Sequence, residues 1–249
     1  MKRGKHYFVA DAHLGPTLQD FRSREKDFAD WLDSIAPDAA ALYLLGDIFD
    51  FWWEYKHVVP KGYVRVLGRL AQLADAGVAI HFFKGNHDQW TFGYLEKEIG
   101  MQVHDRPFVV QIGNARFCMG HGDKTVSAGA GHRLLSKMFS SRLLQRCFSM
   151  IHPRWGLGLG HAWSARHRMS PTWTDSYEEA VASLCRFAAA FPHPVDYLVF
   201  GHLHTPTDLT LPNQARLLVL GAWRSYMQYA VFDVQDEAFS VHTHVINIK

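Results

Sequence analysis

No apolar run in this chain approaches the roughly 20 residues that a membrane-crossing helix needs, so no spanning helix is expected. Cysteine is scarce. Cys118, Cys147 and Cys185 are odd in number, far apart and in no Cys-x-x-Cys pair. Neither a disulfide framework nor a zinc ribbon fits that pattern, whereas a reducing cytosol does. The opening MKRGKHYFVADAH is basic but runs straight into strand-like sequence, without the apolar core or cleavage pattern of a signal peptide. Acidic residues are missing altogether from residues 124–174, where Lys124, Arg133, Lys137, Arg142, Arg146, Arg154, Arg166 and Arg168 stand unopposed. That segment carries +8 and the remainder −6, although the net charge is only +2. Segregation of this kind marks a face that meets anions, whether headgroups, phosphates or nucleic acid.

What is present reads as an ordinary globular core with unusual polar punctuation. Strand-length apolar runs fall at residues 7–10, 41–45, 79–83, 108–112, 116–119, 197–200, 217–220 and 227–234. Between the first three lie helix-period segments, one carried by Phe21, Phe28, Trp31, Leu32 and Ile35, the next by Tyr63, Val66, Leu67, Leu70 and Leu73. Strand–helix–strand–helix–strand at this spacing predicts an α/β chain with a parallel sheet and crossover helices. A later helix is read from Tyr177 to Phe191, and the closely spaced C-terminal strands suggest antiparallel hairpins. Nothing suggests a second domain or a repeat, so residues 1–249 form one domain. Residues 124–174 interrupt it with apolar clusters, Leu134, Leu135, Met138, Phe139 and then Leu144, Cys147, Phe148, Ile151, interleaved with Arg, Lys and Ser. This is the pattern of a basic amphipathic helix or helix pair.

Sixteen histidines matter because several sit directly after predicted strands. The blocks are DAH (11–13), GDIFD (46–50), GNHD (85–88), GHGD (120–123) and GHLH (201–204). Strand ends along one edge are where ligands bind in α/β sheets. Asp11 and His13, like His202 and His204, are two apart, which on an extended segment points both side chains the same way. With Asp47, Asn86 and His121 they make a set of mixed N and O donors. Such a set suits two transition metals sharing a carboxylate rather than an oxygen-only Mg²⁺ or Ca²⁺ site. Paired ions of this type serve displacement at phosphorus.

Asp-x-His, Gly-Asp-x-x-Asp, Gly-Asn-His-Asp, Gly-His and Gly-His-x-His, in this order, resemble the calcineurin-like metallophosphoesterase superfamily. The resemblance implies a four-layer βαββ sandwich of two mixed sheets flanked by helices. It places Asp11, His13, Asp47 and His204 on one metal, and Asp47, Asn86, His121 and His202 on a second. The metals so implied are manganese first, with iron or zinc as alternatives. It also pairs His87 with Asp50, so that the imidazole is oriented and cationic, ready to stabilise charge on the phosphoryl group or to protonate the leaving oxygen.

The chain is similar, more narrowly, to the UDP-2,3-diacylglucosamine hydrolases of lipid A biosynthesis. That likeness rests on LYLLGDIFDFWWEY (42–55), the HGD block, LGAW (220–223) and a helical insertion between HGD and GHLH. It implies a lid over residues 124–174, an amphiphilic nucleotide-sugar lipid as substrate, and a cytoplasmic protein peripheral on an anionic inner membrane. One departure stands out: the best-known branch has arginine where this chain has His87. Candidate substrate contacts are Trp52, Trp53, Asp123, Arg133, Ser164, Arg166, His167 and Trp223, with Asp123 also placed to orient His121.

Two other readings compete. One keeps the metals but changes the substrate to a soluble nucleotide, a phosphoprotein or nucleic acid. Nucleic acid is not expected, because the basic segment alternates with Leu, Phe and Met rather than with stacking aromatics. The other is a phosphoesterase fold reused as an adaptor, which would be expected to have lost ligands that this sequence keeps.

Overall fold

The structure, a computed structural model, describes residues 3–15, 18, 20–125, 137–168, 177–191 and 194–244. Arg133, Leu134 and Leu135 lie outside the described residues, as does the side chain of His167.

The expected crossover pattern forms the first half of the chain. Strands β1 (Lys5–Val9), β2 (Ala39–Leu44), β3 (Ala79–Phe83) and β4 (Gln102–His104) run parallel, joined by helices α1 (Phe21–Ile35) and α2 (Val64–Asp75) and a π-helical turn at Leu95–Ile99. Strands β10 (Gln228–Asp233) and β11 (Ala238–Thr243) add antiparallel to β1, giving the order β11-β10-β1-β2-β3-β4. The second sheet is β5-β6-β7-β9-β8, built from Phe108–Ile112, Ala115–Met119, Tyr197–Phe200, Arg216–Val219 and, at its edge, Thr207–Thr210. Both sheets are mixed.

Alternation along the strands decides how these layers stack. In β1, Tyr7 and Val9 face α1 and α2 in one apolar cluster with Phe28, Trp31 and Leu70. Phe8 points the other way, into a cluster shared with Phe117, Val199, Leu218 and Phe232. Period-two side chains therefore bury both faces of the central strand β1. The second sheet's outer face is covered by the helix Tyr177–Ala189, through Leu184 and Ala188. Helices, sheet, sheet, helix make the four layers.

Three strands escaped the sequence pattern. Gln102–His104 is only three residues long, Thr207–Thr210 is polar and largely exposed, and Ala238–Thr243 is an edge strand exposed along most of its length. None has the apolar run that marks a strand from sequence. Among the described residues the insertion holds helices α3 (Arg142–Ser149) and α4 (Pro153–Arg168), with residues 137–140 also helical. α4 lies within the segment read as helical but beyond its apolar clusters, which end at Ile151, and its three glycines weaken any helix signal of its own. Close packing overrides that propensity, since a Cβ at Gly156 would collide with the Tyr55 hydroxyl and one at Gly160 with the Phe51 ring. The later helices are α5 (Tyr177–Ala189) and the single turn α6 (Trp223–Tyr226).

Candidate metal centre and the cavity beside it

All five polar blocks meet at one edge. DAH follows β1, GDIFD follows β2, GNHD follows β3, GHGD follows β6 and GHLH follows β7. Backbone strain is concentrated there. Asp11, His13, Asp47, His202 and His204 all have positive φ, between 43° and 70°. Non-glycine residues adopt that region only when their surroundings over-determine it, and such residues cluster at functional sites. Two glycines make room for the turns. A Cβ on Gly46 would sit 2.7 Å from the His121 ring, and one on Gly201 2.6 Å from Asp11 Oδ2.

Four side chains bring one ligand atom each within 4.8 Å of one another: Asp11, His13, Asp47 and His204. Their contacts are direct. His13 Nε2 lies 2.9 Å from His204 Nε2, and His204 Nε2 lies 3.3 Å from Asp11 Oδ1. His13 Nε2 is 3.8 Å from both Asp11 Oδ1 and Asp47 Oδ2. On the other side of Asp47, His121 Nε2 approaches Oδ2 at 3.5 Å and Asn86 Oδ1 at 3.3 Å. His202 completes that side, its ring centroid 5.0 Å from that of His121. Asp47 thus stands between two donor groups.

Electrostatics agree with the geometry. Burial alone would raise the Asp47 carboxyl, yet His121, then His87 and His13, hold it well below the usual carboxylate range. Burial would lower His121, but Asp47 outweighs it and holds the imidazole well above its ordinary value. His204 is also raised, Asp11 outweighing burial, whereas burial keeps His13 well below the ordinary value. The carboxylates demand positive charge between them. No lysine or arginine belongs to this donor set. Buried carboxylates and imidazoles, joined by the partly buried Asn86 amide and the exposed His204 ring, converge without a basic side chain and fit divalent transition metals.

Asp88, outside the donor set, holds two of the loops together. Its carboxylate accepts the backbone N–H groups of Asp47, Ile48, Phe49 and Gly85 at 2.8–3.2 Å. Burial, then Asp47, pushes its carboxyl up to about 7.

His87 has a different partner atom from the one expected. Its Nδ1 donates to the main-chain carbonyl of Asp50 at 2.9 Å and also lies 3.1 Å from Ser164 Oγ. The reason is local. Residues 52–54 run beside 87–90, with Trp52 N donating to His87 O at 3.2 Å and Glu54 N to Trp90 O at 3.1 Å. That pairing turns the Asp50 main chain toward the ring. Ligand atoms of His13, Asp50 and His87 nevertheless come within 4.8 Å of one another, so the Asp50 carboxylate stays in the same pocket. A carbonyl only accepts, so Nδ1 carries the proton and Nε2 is the nitrogen left for chemistry.

Other expected contacts separate into two groups. Trp52 and Trp223 are corrected: both are core. Trp52 is 0% exposed, stacked on Phe49 and donating to Glu54, and Trp223 is 2% exposed against Phe28 and Trp31. The backbone of Trp223 supports the DAH loop instead, donating to Ala10 O at 3.2 Å. His121 is oriented by the Leu45 carbonyl, 2.9 Å from its Nδ1, rather than by an Asp123 hydrogen bond, the ring lying close against the side-chain-free Gly46. Asp123 acts on it only through charge. Arg166 is exposed.

Trp53 does line a cavity. It joins Phe51, Trp90, Phe139, Leu144, Phe148, Leu159 and Trp163 around a volume of about 440 Å³. Trp163 also lies against His87, ring centroids 5.4 Å apart, so the apolar cavity adjoins the polar site. Phe51, Trp90 and Trp163 were not read from the sequence. The density of aromatics after GDIFD and GNHD was their only signal.

A buried edge of metal-type donors on a four-layer sandwich defines a class, and comparison agrees. The calcineurin-like phosphoesterase family profile matches residues 5–206, and the chain belongs to that family. A protein named UDP-2,3-diacylglucosamine hydrolase from Porphyromonas gingivalis is 38% identical, over 93% of this chain and 95% of that one. A protein of the same name from Aeromonas salmonicida is 30% identical over 87% and 85%. Among solved structures, a dimetal phosphatase from Danio rerio is 14% identical with a TM-score of 0.41, covering 98% of this chain and 99% of that one.

Proposed function

We propose that this chain is a two-metal hydrolase that cleaves the pyrophosphate of UDP-2,3-diacylglucosamine to UMP and 2,3-diacylglucosamine 1-phosphate. One observation carries the substrate class. The donor-lined edge opens beside an aromatic cavity of about 440 Å³, and Trp163 touches both. A phosphoesterase for soluble nucleotides has no use for such a cavity, whereas a diacylated sugar has chains to bury in it. The relatives that cover nearly the whole chain bear the name of that reaction.

Asp11, His13, Asp47 and His204 would hold one metal; Asp47, Asn86, His121 and His202 a second. Manganese is the first candidate, then iron or zinc. Bound there, such ions would supply a nucleophile at neutral pH and offset charge on the phosphoryl oxygens. Asp47 keeps the two donor groups in register. His87, with Nδ1 tied to Asp50, presents Nε2 to the phosphoryl group and donates to its oxygens or to the leaving group. The helices of residues 137–168 act as a lid whose inner aromatics exclude water from acyl chains.

The lid's outer surface supports attachment to a membrane. No helix among the described residues is long and apolar enough to cross one. Yet Leu143, Met150 and Trp155 are 65–78% exposed on α3, α4 or the turn between them, beside Arg142, Arg146 and Arg154. Apolar and cationic groups together suit the cytoplasmic face of an anionic bilayer. Incubating the protein and Mn²⁺ with the lipid, and reading products by mass spectrometry, tests the proposal. UMP and the diacylated sugar phosphate in equal amounts support it. Turnover of dinucleoside polyphosphates with the lipid left intact refutes it.

A further inference from the structure

Helix α4 buries Gly156, Gly160 and Ser164, spaced four residues apart. That spacing places all three on one face. The two glycines bring the helix against Tyr55 and Phe51 as closely as backbone allows, whereas a Cβ at Gly158 would meet nothing within 4 Å. The third position ends the stripe with a hydroxyl. Ser164 is 0% exposed, and its Oγ lies 3.1 Å from Nδ1 of His87.

We propose that Ser164 is a positioning residue for the His87 imidazole, set at its working depth by Gly156 and Gly160. Asp50 O, at 2.9 Å, fixes which nitrogen carries the proton. One acceptor still leaves the ring free to pivot about the N–H···O line. Ser164 Oγ, on a different element, is the second acceptor of the same N–H and removes that freedom. The ring so held lies edge-on to His13, whose ring centroid is 4.9 Å from that of His87. The acceptor belongs to the insertion, so His87 is held in this orientation only while the lid helix is seated. This rests on the reading of His87 as the residue serving the phosphoryl group.

The test uses zinc-loaded protein labelled with ¹⁵N-histidine, with the His87 ring signals assigned by their loss in His87→Gln. Wild type should show Nδ1 protonated. Ser164→Ala should move the Nδ1 signal, Ser164→Thr should restore it, and Gly160→Ala should move it without touching the serine. On the lipid with Mn²⁺, Ser164→Ala should lower kcat about 3- to 10-fold, the scale of one neutral hydrogen bond, with KM unchanged. Adding Gly160→Ala to Ser164→Ala should give less than the product of the two single effects, as for coupled sites. A His87 signal unmoved in Ser164→Ala overturns the proposal, as does a raised KM with kcat intact, which would make the serine a substrate contact. If wild type does not cleave the lipid, the substrate reading fails while the ring signals still decide the role of Ser164.

Discussion

Oδ1 of Asp47 accepts the backbone N–H of His87 at 2.8 Å, while its Oδ2 lies 3.8 Å from His13 and 3.5 Å from His121. One carboxylate thus fixes the His87 loop and joins two donor groups. Asp47→Asn should leave each half with an incomplete set. Metal content after dialysis, measured by mass spectrometry, should fall from two ions per chain to one or none. Turnover should fall by more than the roughly 10–100-fold that loss of an outer-shell partner costs.

His87 is proposed to act on the substrate rather than on the metals. His87→Gln should lower kcat by about 10²–10⁴, the range of general acid–base catalysis. Metal content should remain at the wild-type level. A variant that loses metal together with activity would make His87 part of the metal site instead.

Leu144 lines the aromatic cavity but is 42% exposed, so it tolerates a polar replacement. Leu144→Asp puts a carboxylate where acyl chains would lie. KM for the diacylated lipid should rise about tenfold or more, consistent with 1.5–3 kcal/mol for burying an apolar side chain. Hydrolysis of a short-chain phosphodiester should stay unchanged.

Leu143 and Trp155 are 69% and 65% exposed on helices α3 and α4. The double variant Leu143→Ser, Trp155→Ser should bind vesicles containing phosphatidylglycerol at least about tenfold more weakly, read by sedimentation. Turnover of detergent-dispersed lipid should change little.

A pH dependence unrelated to the site comes from a stack of rings across the first sheet: His6, Tyr43, His81 and His104. Burial lowers His6, and burial with His104 lowers His81, each from an ordinary 6.5 to about 4. The unfolded chain therefore binds protons there that the native state refuses. Stability is fully present above pH 6.5 and is lost as pH falls toward 4, by less than the limiting value of about 1.4 kcal/mol per pH unit for each histidine because both rings keep some solvent screening. Urea midpoints between pH 7 and 4.5 should show the slope, and His81→Gln should flatten it.

The crossover strands and the convergence of the polar blocks at one sheet edge were legible because each leaves a local pattern. An apolar run followed by Gly-Asp or Gly-His needs no knowledge of distant contacts. Other features depended on packing that no local pattern reveals. Trp52 and Trp223 read like cleft residues, since an aromatic after a motif looks alike whether it turns inward or outward. The course of helix α4 beyond the apolar clusters was hidden by Gly156, Gly158 and Gly160, whose helical state depends on Tyr55 and Phe51, about a hundred residues earlier. The Asp50 carbonyl replaced the expected carboxylate as the partner of Nδ1 because two loops pair edge to edge, and sequence spacing does not reveal that pairing.

The most direct measurement compares kcat/KM for UDP-2,3-diacylglucosamine with that for UDP-glucosamine, using protein stripped of metal and reloaded with Mn²⁺. The account predicts no turnover of either without metal and a preference for the diacylated substrate of at least about 100-fold, equivalent to roughly 2.7 kcal/mol. Equal values for the two substrates, or full activity in the stripped protein, would contradict it.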